Sequence, residues 1–358
     1  MNADVGGARR LSSRDLSSGL PADEEAVLAQ PPDEPFWSEN LLFALYDPAN
    51  DVGFWLHLGT EPTEWSLWED RALVFLPGDG GVLSMWAYHR TPPEQRPAGS
   101  NLAFRCIEPF RRWHVAFDGF GLHTSNEDMA AGRAREGRRQ RFTLDLDVEC
   151  VTPVWDAHTA AASVTGRGAM HEQGWAKEHY EQLHRATGTV RLPSGEVRFD
   201  GTGWRDHSRG PRGGGTGARW GGHVIIGCLF PESGRGWGLS RYWAPDGAIT
   251  LEGGYVVDDG VLEHMAVVDA PRLRGLQLHG EHLHASLRSE NRTLDLMTVR
   301  SLWLTMTHGI PVGADLTGHG LIYALNFGRC HWDGEVAYAY VERSDMLNRP
   351  APALRAST

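Results

Sequence analysis

Cysteine is sparse. Four cysteines in 358 residues, with no CxxC pair, leave no dithiol redox motif and no thiolate zinc site. Cys106, Cys150, Cys228 and Cys330 are widely spaced and are expected as free, mostly buried thiols of a reducing compartment. Long apolar runs are missing, so no segment is expected to cross a bilayer as a helix. The N-terminus shows no apolar signal region, and a cytoplasmic location is the expectation. Positive charge is in deficit. With 34 Lys and Arg against 46 Asp and Glu, the net charge of −12 argues against a nucleic-acid partner. No Gly-x-Ser-x-Gly elbow is present, so serine-hydrolase chemistry has no support. Gly213-Gly214-Gly215-Thr216-Gly217 is glycine-dense but is not followed by Lys-Ser/Thr, and it reads as a flexible loop. No cofactor is expected.

Tryptophan and glycine are plentiful, at 14 and 43 residues. That pairing suits a β-rich chain with tight turns and aromatic-lined cavities. Period-2 patterns dominate. In Phe142-Thr143-Leu144-Asp145-Leu146-Asp147-Val148-Glu149-Cys150 every even residue is apolar, the pattern of an antiparallel strand with one wet face. Thr189–Leu192, Pro193-Ser194-Gly195 and Glu196–Phe199 read as a hairpin. His223–Phe230, Trp237–Trp243 and Tyr255–Glu263, the last turning at Asp258-Asp259-Gly260, read as further strands and turns. Even spacing of short strands indicates a sandwich or barrel rather than a βαβ sheet. Helical signal is confined to Glu172–Thr187, where Tyr180, Leu183 and Thr187 share a face before Gly188. The expected organisation is a mobile arm over 1–34, β-domains over 35–168 and 169–345 joined by a short helical connection, and a tail over 346–358. The arm carries little apolar surface and is expected to be dispensable for folding.

The richest polar stretch is Gly201-Thr202-Gly203-Trp204-Arg205-Asp206-His207-Ser208-Arg209-Gly210-Pro211-Arg212, which follows a strand-like run. Trp204 and Asp206 are two apart and share one face of a strand. A carboxyl against an indole loses hydration, so its pKa rises and it can serve as an acid. Arg205, Arg209 and Arg212 argue equally for a salt bridge that keeps Asp206 ionised. His179-Tyr180-Glu181-Gln182 is a second polar cluster, in which Glu181 could act with Asp206. In His279-Gly280-Glu281-His282-Leu283-His284 the two last histidines share a strand face. A metal site and a solvated face are both open there, and the solvated face is preferred.

His179-Tyr180-Glu181-Gln182, the hairpin of residues 188–199, the Gly203-to-Arg212 run and Ala337-Tyr338-Ala339-Tyr340-Val341-Glu342-Arg343-Ser344 together resemble the carotenoid 1,2-hydratase-like group. That group includes hydroxyneurosporene synthase and AttH-type proteins. Trp204 stands where the hydratases carry tyrosine, which puts this chain on a side branch. The resemblance implies an all-β fold of two lipocalin-like antiparallel barrels in tandem, with a cavity for a hydrophobic small molecule. It implies hydratase, isomerase or cyclase chemistry on an unsaturated terpenoid-, steroid- or polyketide-like substrate, or else simple carriage of such a molecule. The expected catalytic residues are Asp206 as general acid, Trp204 as a cation-stabilising wall, and His207 and Glu181 to position water or accept a proton. The expected substrate-binding residues are Tyr180, His179, Arg212 and Trp243.

Overall fold

A computed structural model describes residues 15–125, 128, 136–212, 221–274, 277, 279–288, 293–305 and 322–345. The expected fold class holds. The first sheet contains β1 (Trp37–Asp47), β2 (Val52–Glu61), β3 (Glu64–Phe75), β4 (Val82–Arg90), β5 (Leu102–Glu108), β6 (Arg112–Thr124), β7 (Arg138–Cys150), β8 (Trp155–Asp156), β10 (Glu178–Leu192) and β11 (Gly195–Pro211). It runs β11-β1-β2-β3-β4-β6-β7-β10, and the β10–β11 pairing closes it into a barrel. The second sheet runs through β12 (Gly222–Leu229), β13 (Gly236–Trp243), β14 (Ile249–Asp258), β15 (Val261–Asp269), β16 (His282–Arg288), β17 (Thr293–Thr305), β18 (Ile322–Trp332) and β19 (Glu335–Asp345). Each of these strands pairs with the next in sequence, and β12 pairs with β19, so the meander closes on itself. Closure removes the edges that an open sheet would expose. The short β9 (Arg167–Gly168) attaches to β14.

Local chemistry explains the hairpins. The Phe142–Cys150 alternation lies in β7, with its apolar residues inward. Asp259 and Gly260 have φ of 47° and 69°, the paired positive values of a tight hairpin turn between β14 and β15. A short helix, α1 (Ala157–Ala162), follows β8 rather than joining the barrels, and its first turn is capped by the Asp156 carboxylate accepting from the His158 and Thr159 amides.

Three expectations are corrected. The helix expected over Glu172–Thr187 is instead a single 3-10 turn at Met170–Glu172 followed by β10. Fifteen consecutive residues pair with β11, and that pairing overrides a weak helical periodicity. The sheets part between Pro211 and Gly222 rather than at residue 168, because β10 and β11 close the first barrel. Over its described part, the N-terminal arm is packed. Leu16 is buried with Phe110, Val154 and Tyr180, and Glu25 is buried within the barrel end. Residues 346–358 and Gly213–Gly217 lie outside the described residues.

The barrels share a core. Tyr46 stacks on Phe327 with ring centroids 5.1 Å apart, and Trp204 stacks on Tyr340 at 5.3 Å. A glycine permits the approach. A Cβ added at Gly227 would sit 2.3 Å from the Trp204 ring, so only a residue without one fits between the barrels there.

Candidate active site

In the β10–β11 pairing Tyr180 lies opposite His207, Glu181 opposite Asp206, and Leu183 opposite Trp204. Side chains alternate along a strand, so this register sorts the polar residues into two sets.

The first set points into the first barrel. Glu25 Oε1 accepts from Arg205 at 2.6 Å and from the Tyr180 hydroxyl at 2.7 Å. Its Oε2 accepts from Trp113 Nε1 at 3.0 Å. Glu39 Oε1 accepts from Arg209 Nε at 2.9 Å and lies 2.7 Å from His207 Nε2. Burial pushes both carboxyls up, but Arg205 at Glu25 and His207 at Glu39 outweigh it and hold them below their ordinary range. Tyr180 and His207 therefore face away from Asp206. Strand alternation thus separates these two residues from the Asp206 with which they were expected to act.

The second set points at the second barrel. Glu181 is fully buried. It accepts from Trp204 Nε1 at 2.8 Å and from the Ser240 hydroxyl at 2.6 Å, and lies 3.0 Å from His179 Nε2. The other His179 ring nitrogen, Nδ1, is buried without a hydrogen-bond partner and faces Asp206 Oδ2 at 3.6 Å. Burial disfavours the His179 cation, but the Glu181 bond and the Asp206 charge outweigh it and raise the imidazole above its usual value. Trp204 is fully buried between Glu181 and Tyr340, so it does not line an open wall.

Asp206 is set apart from its neighbours. Among the described residues no arginine is in ion-pair contact with it. Arg205 is held by Glu25 and Gln182, Arg209 by Glu24 and Glu39, and Arg212 donates to the Ser208 hydroxyl at 2.7 Å. Burial raises the Asp206 carboxyl to about 7. Glu342 and Glu181 add to this, while His179 and Arg212 oppose it.

The second barrel supplies the facing wall. Tyr242 stacks between Trp175 at 4.6 Å and His223 at 5.3 Å. His223 Nε2 lies 2.9 Å from Glu342 Oε1, and the Tyr340 hydroxyl donates to Glu342 Oε2. Burial pushes Glu342 up, but the His223 bond and charge and the Tyr340 bond hold it below the usual carboxylate range. The side chains of Asp206, His57, Glu69 and Glu342 keep 15%, 12%, 12% and 11% exposure. These residues come from both barrels, so solvent reaches a crevice between them. Other clefts lie elsewhere. One of about 820 Å³ runs along β6, β7 and β10, and one of about 460 Å³ lies beside Trp243, His282 and His284.

Trp243, expected to bind substrate, belongs to the core of the second barrel, and Tyr242 takes the inter-barrel position. His223, Tyr242 and Glu342 were not singled out as site residues from sequence. The signal was available in β19: Ala337, Ala339 and Val341 alternate with Tyr338, Tyr340, Glu342 and Ser344, which separates a barrel-facing row from a polar, aromatic one. Among the described residues no group of three His, Cys, Asp or Glu side chains is arranged to hold a metal, and His282 and His284 are exposed on β16.

The family described as "Domain of unknown function (DUF7064)" matches residues 22–346. The chain belongs to this family. No curated protein matches it. Among solved structures, an AttH-like protein of Nitrosomonas europaea is similar over 90% of this chain and 98% of its own, with 12% identity and a TM-score of 0.54. Kievitone hydratase from Nectria haematococca is similar over 89% of this chain and 91% of its own, with 10% identity and a TM-score of 0.50. At these identities the likeness establishes the tandem-barrel fold and supports the expected resemblance at that level.

Proposed function

We propose that this DUF7064 protein is a hydratase-type enzyme acting on an apolar, unsaturated small molecule in the inter-barrel crevice. The observation that carries the reading is a divergence of two carboxyls. Burial lifts Asp206 to about 7, while His223 and Tyr340 hold Glu342 ionised. Two titratable groups pushed apart in one crevice are the arrangement that assigns an acid and a base. The hydratase among the similar folds supports the same reading.

In this mechanism protonated Asp206 transfers its proton to one alkene carbon, and the π pair becomes the new C–H bond. The cation left on the other carbon is captured by a water oxygen. Glu342 orients that water, takes its surplus proton and releases it to solvent, and solvent returns a proton to Asp206. The sum is addition of one water across the double bond. His179, held by Glu181, sits behind Asp206 as a positioning residue. The aromatic rings of Trp175 and Tyr242 favour a developing cation.

The test is a panel of unsaturated terpenoids and prenylated phenols incubated with the protein in heavy-oxygen water, read by mass spectrometry. Incorporation of one labelled oxygen is expected, with a rate that falls as pH rises through about 7, because the acid form is then lost. Asp206→Asn should retain binding and lose roughly 10²–10⁴-fold in rate. A variant that binds and turns over like the parent overturns the acid. Binding without any incorporation across the panel favours a carrier of hydrophobic molecules.

A further inference from the structure

Arg205 and Arg209 on β11 and Arg212 just beyond its end differ in their partners: among the described residues, Arg212 is the one of these three with no carboxylate in contact. Arg205 is answered by Glu25, and Arg209 by Glu39, Glu24 and Glu178. Arg212 has the Ser208 hydroxyl at 2.7 Å and the Trp175 ring beneath its guanidinium at 5.9 Å. Its Nε is buried without a hydrogen-bond partner, and among the described residues no acid is in ion-pair contact with it. The segment that follows, Gly213–Trp220, contains no Asp or Glu. A guanidinium stays charged under all ordinary conditions, and a largely buried charge without a partner is costly. The Trp175 ring beneath Arg212 also stacks on Tyr242 at 4.6 Å, so the guanidinium lies beside the same inter-barrel wall, and its charge is felt at Asp206.

We propose that Arg212 is the seat for a carboxylate carried by the substrate, and that the substrates are therefore unsaturated carboxylic acids rather than neutral hydrocarbons. The proposal rests on the reading of the crevice as the substrate site. The fork of a guanidinium matches two carboxylate oxygens, and a planar ring under it keeps the fork oriented. Hydration leaves that carboxylate chemically unchanged, so its role is to fix where the double bond lies relative to Asp206. Its arrival also arms the acid. Free Arg212 lowers the Asp206 pKa; a carboxylate that neutralises Arg212 removes this effect, so Asp206 gains a proton as the substrate binds.

The experiment compares acids with their methyl esters on the full chain at pH 8: geranic acid, oleic acid and cinnamic acid against methyl geranate, methyl oleate and methyl cinnamate. Binding is read by tryptophan fluorescence and calorimetry. For at least one pair the acid is expected to bind about 10–100-fold more tightly, the range of a charge-assisted contact. Acid binding is expected to take up protons from buffer. Arg212→Gln should bring acid and ester within about twofold of each other, and Arg212→Lys should keep part of the preference. Asp206→Asn should keep the preference and abolish the proton uptake. Failure of acid catalysis is thereby distinguishable from failure of the anchor. Equal binding of acid and ester in every pair, no binding of any probe, or a preference that survives Arg212→Gln overturns the proposal.

Discussion

β10 and β11 present two faces built from the same stretch of sequence, and the faces solve the problem of buried charge in opposite ways. Inside the first barrel the buried arginines of β11 meet carboxylates directly, Arg205 at Glu25 and Arg209 at Glu39, with Tyr180 and Gln182 bonded into the same cluster. On the inter-barrel face, among the described residues, Asp206 has no arginine beside it and meets only His179 Nδ1 at 3.6 Å, too long for a hydrogen bond, while Arg212 has no carboxylate in contact. A fully satisfied network rigidifies, while an unsatisfied one stays poised for a ligand or a proton. Two neighbouring residues, Asp206 and His207, thus belong to different halves of the protein's economy of charge.

The inner face is closed by the N-terminal segment, and this gives the largest expected effect. Deletion of residues 1–34 removes Glu25 and Leu16 together, leaving Arg205 buried without its carboxylate. Breaking such a pair costs about 3–5 kcal/mol, and the lost apolar cap adds to it. The deletion should lower the thermal midpoint by about 10 °C or more, at roughly 2–4 °C per kcal/mol. Glu25→Ala alone should give a large part of that loss. A truncated chain that melts with the parent would show that the inner network is not the structural half of the comparison.

Asp206→Asn should behave in the opposite sense. The folded pKa of Asp206 is raised to about 7 from an ordinary value of 3.8. Between those values the folded state binds the extra proton, so this group makes stability fall as pH rises, and its penalty is complete above about 7. His179, raised above 6.5, acts in the same direction, since the stability its charge supplies is lost as pH rises through its folded value. The asparagine variant should therefore match the parent near pH 4 and exceed it near pH 8. Midpoints measured across that range give the sign directly. A variant less stable than the parent at pH 8 would place Asp206 among the satisfied charges.

The sequence made the architecture legible because closed antiparallel barrels are written in period 2. β7 could be read from alternation, the tip of the β10–β11 hairpin at residues 189–199 from alternation and its turn residues, and Trp204-x-Asp206 put two side chains on one face. The ambiguities share a cause. Tyr180, His207 and Trp243 were chosen for chemistry, yet each is one residue away from a position that faces the crevice, at Glu181, Asp206 and Tyr242. Polarity does not tell which face of a strand is which when both faces are buried. The inner partners of Arg205 and Arg209 come from residues 24–39, far away in sequence and in a segment whose composition resembles a tail. The facing wall of His223 and Glu342 needed the second barrel to be docked on the first, and no local pattern encodes that docking.

The smallest expected effect tests whether the outer face tolerates the loss of a bond. Trp204→Phe keeps an aromatic ring against Tyr340 and removes the Nε1 donor to Glu181. Glu181 retains Ser240 and His179, so the loss is one hydrogen bond of three, and about 1–2 kcal/mol is expected. Because Trp204 is sealed behind the crevice, ligand affinity should stay within about twofold, whereas the pH at which activity falls should move as His179 shifts relative to Asp206. A moved pH profile with unchanged affinity identifies Trp204 as a positioning residue. Lost affinity with an unmoved profile would mean that the indole touches the ligand. A stability loss as large as that of Glu25→Ala would mean that the two faces of β10 and β11 are equally structural, and the contrast between them would fail.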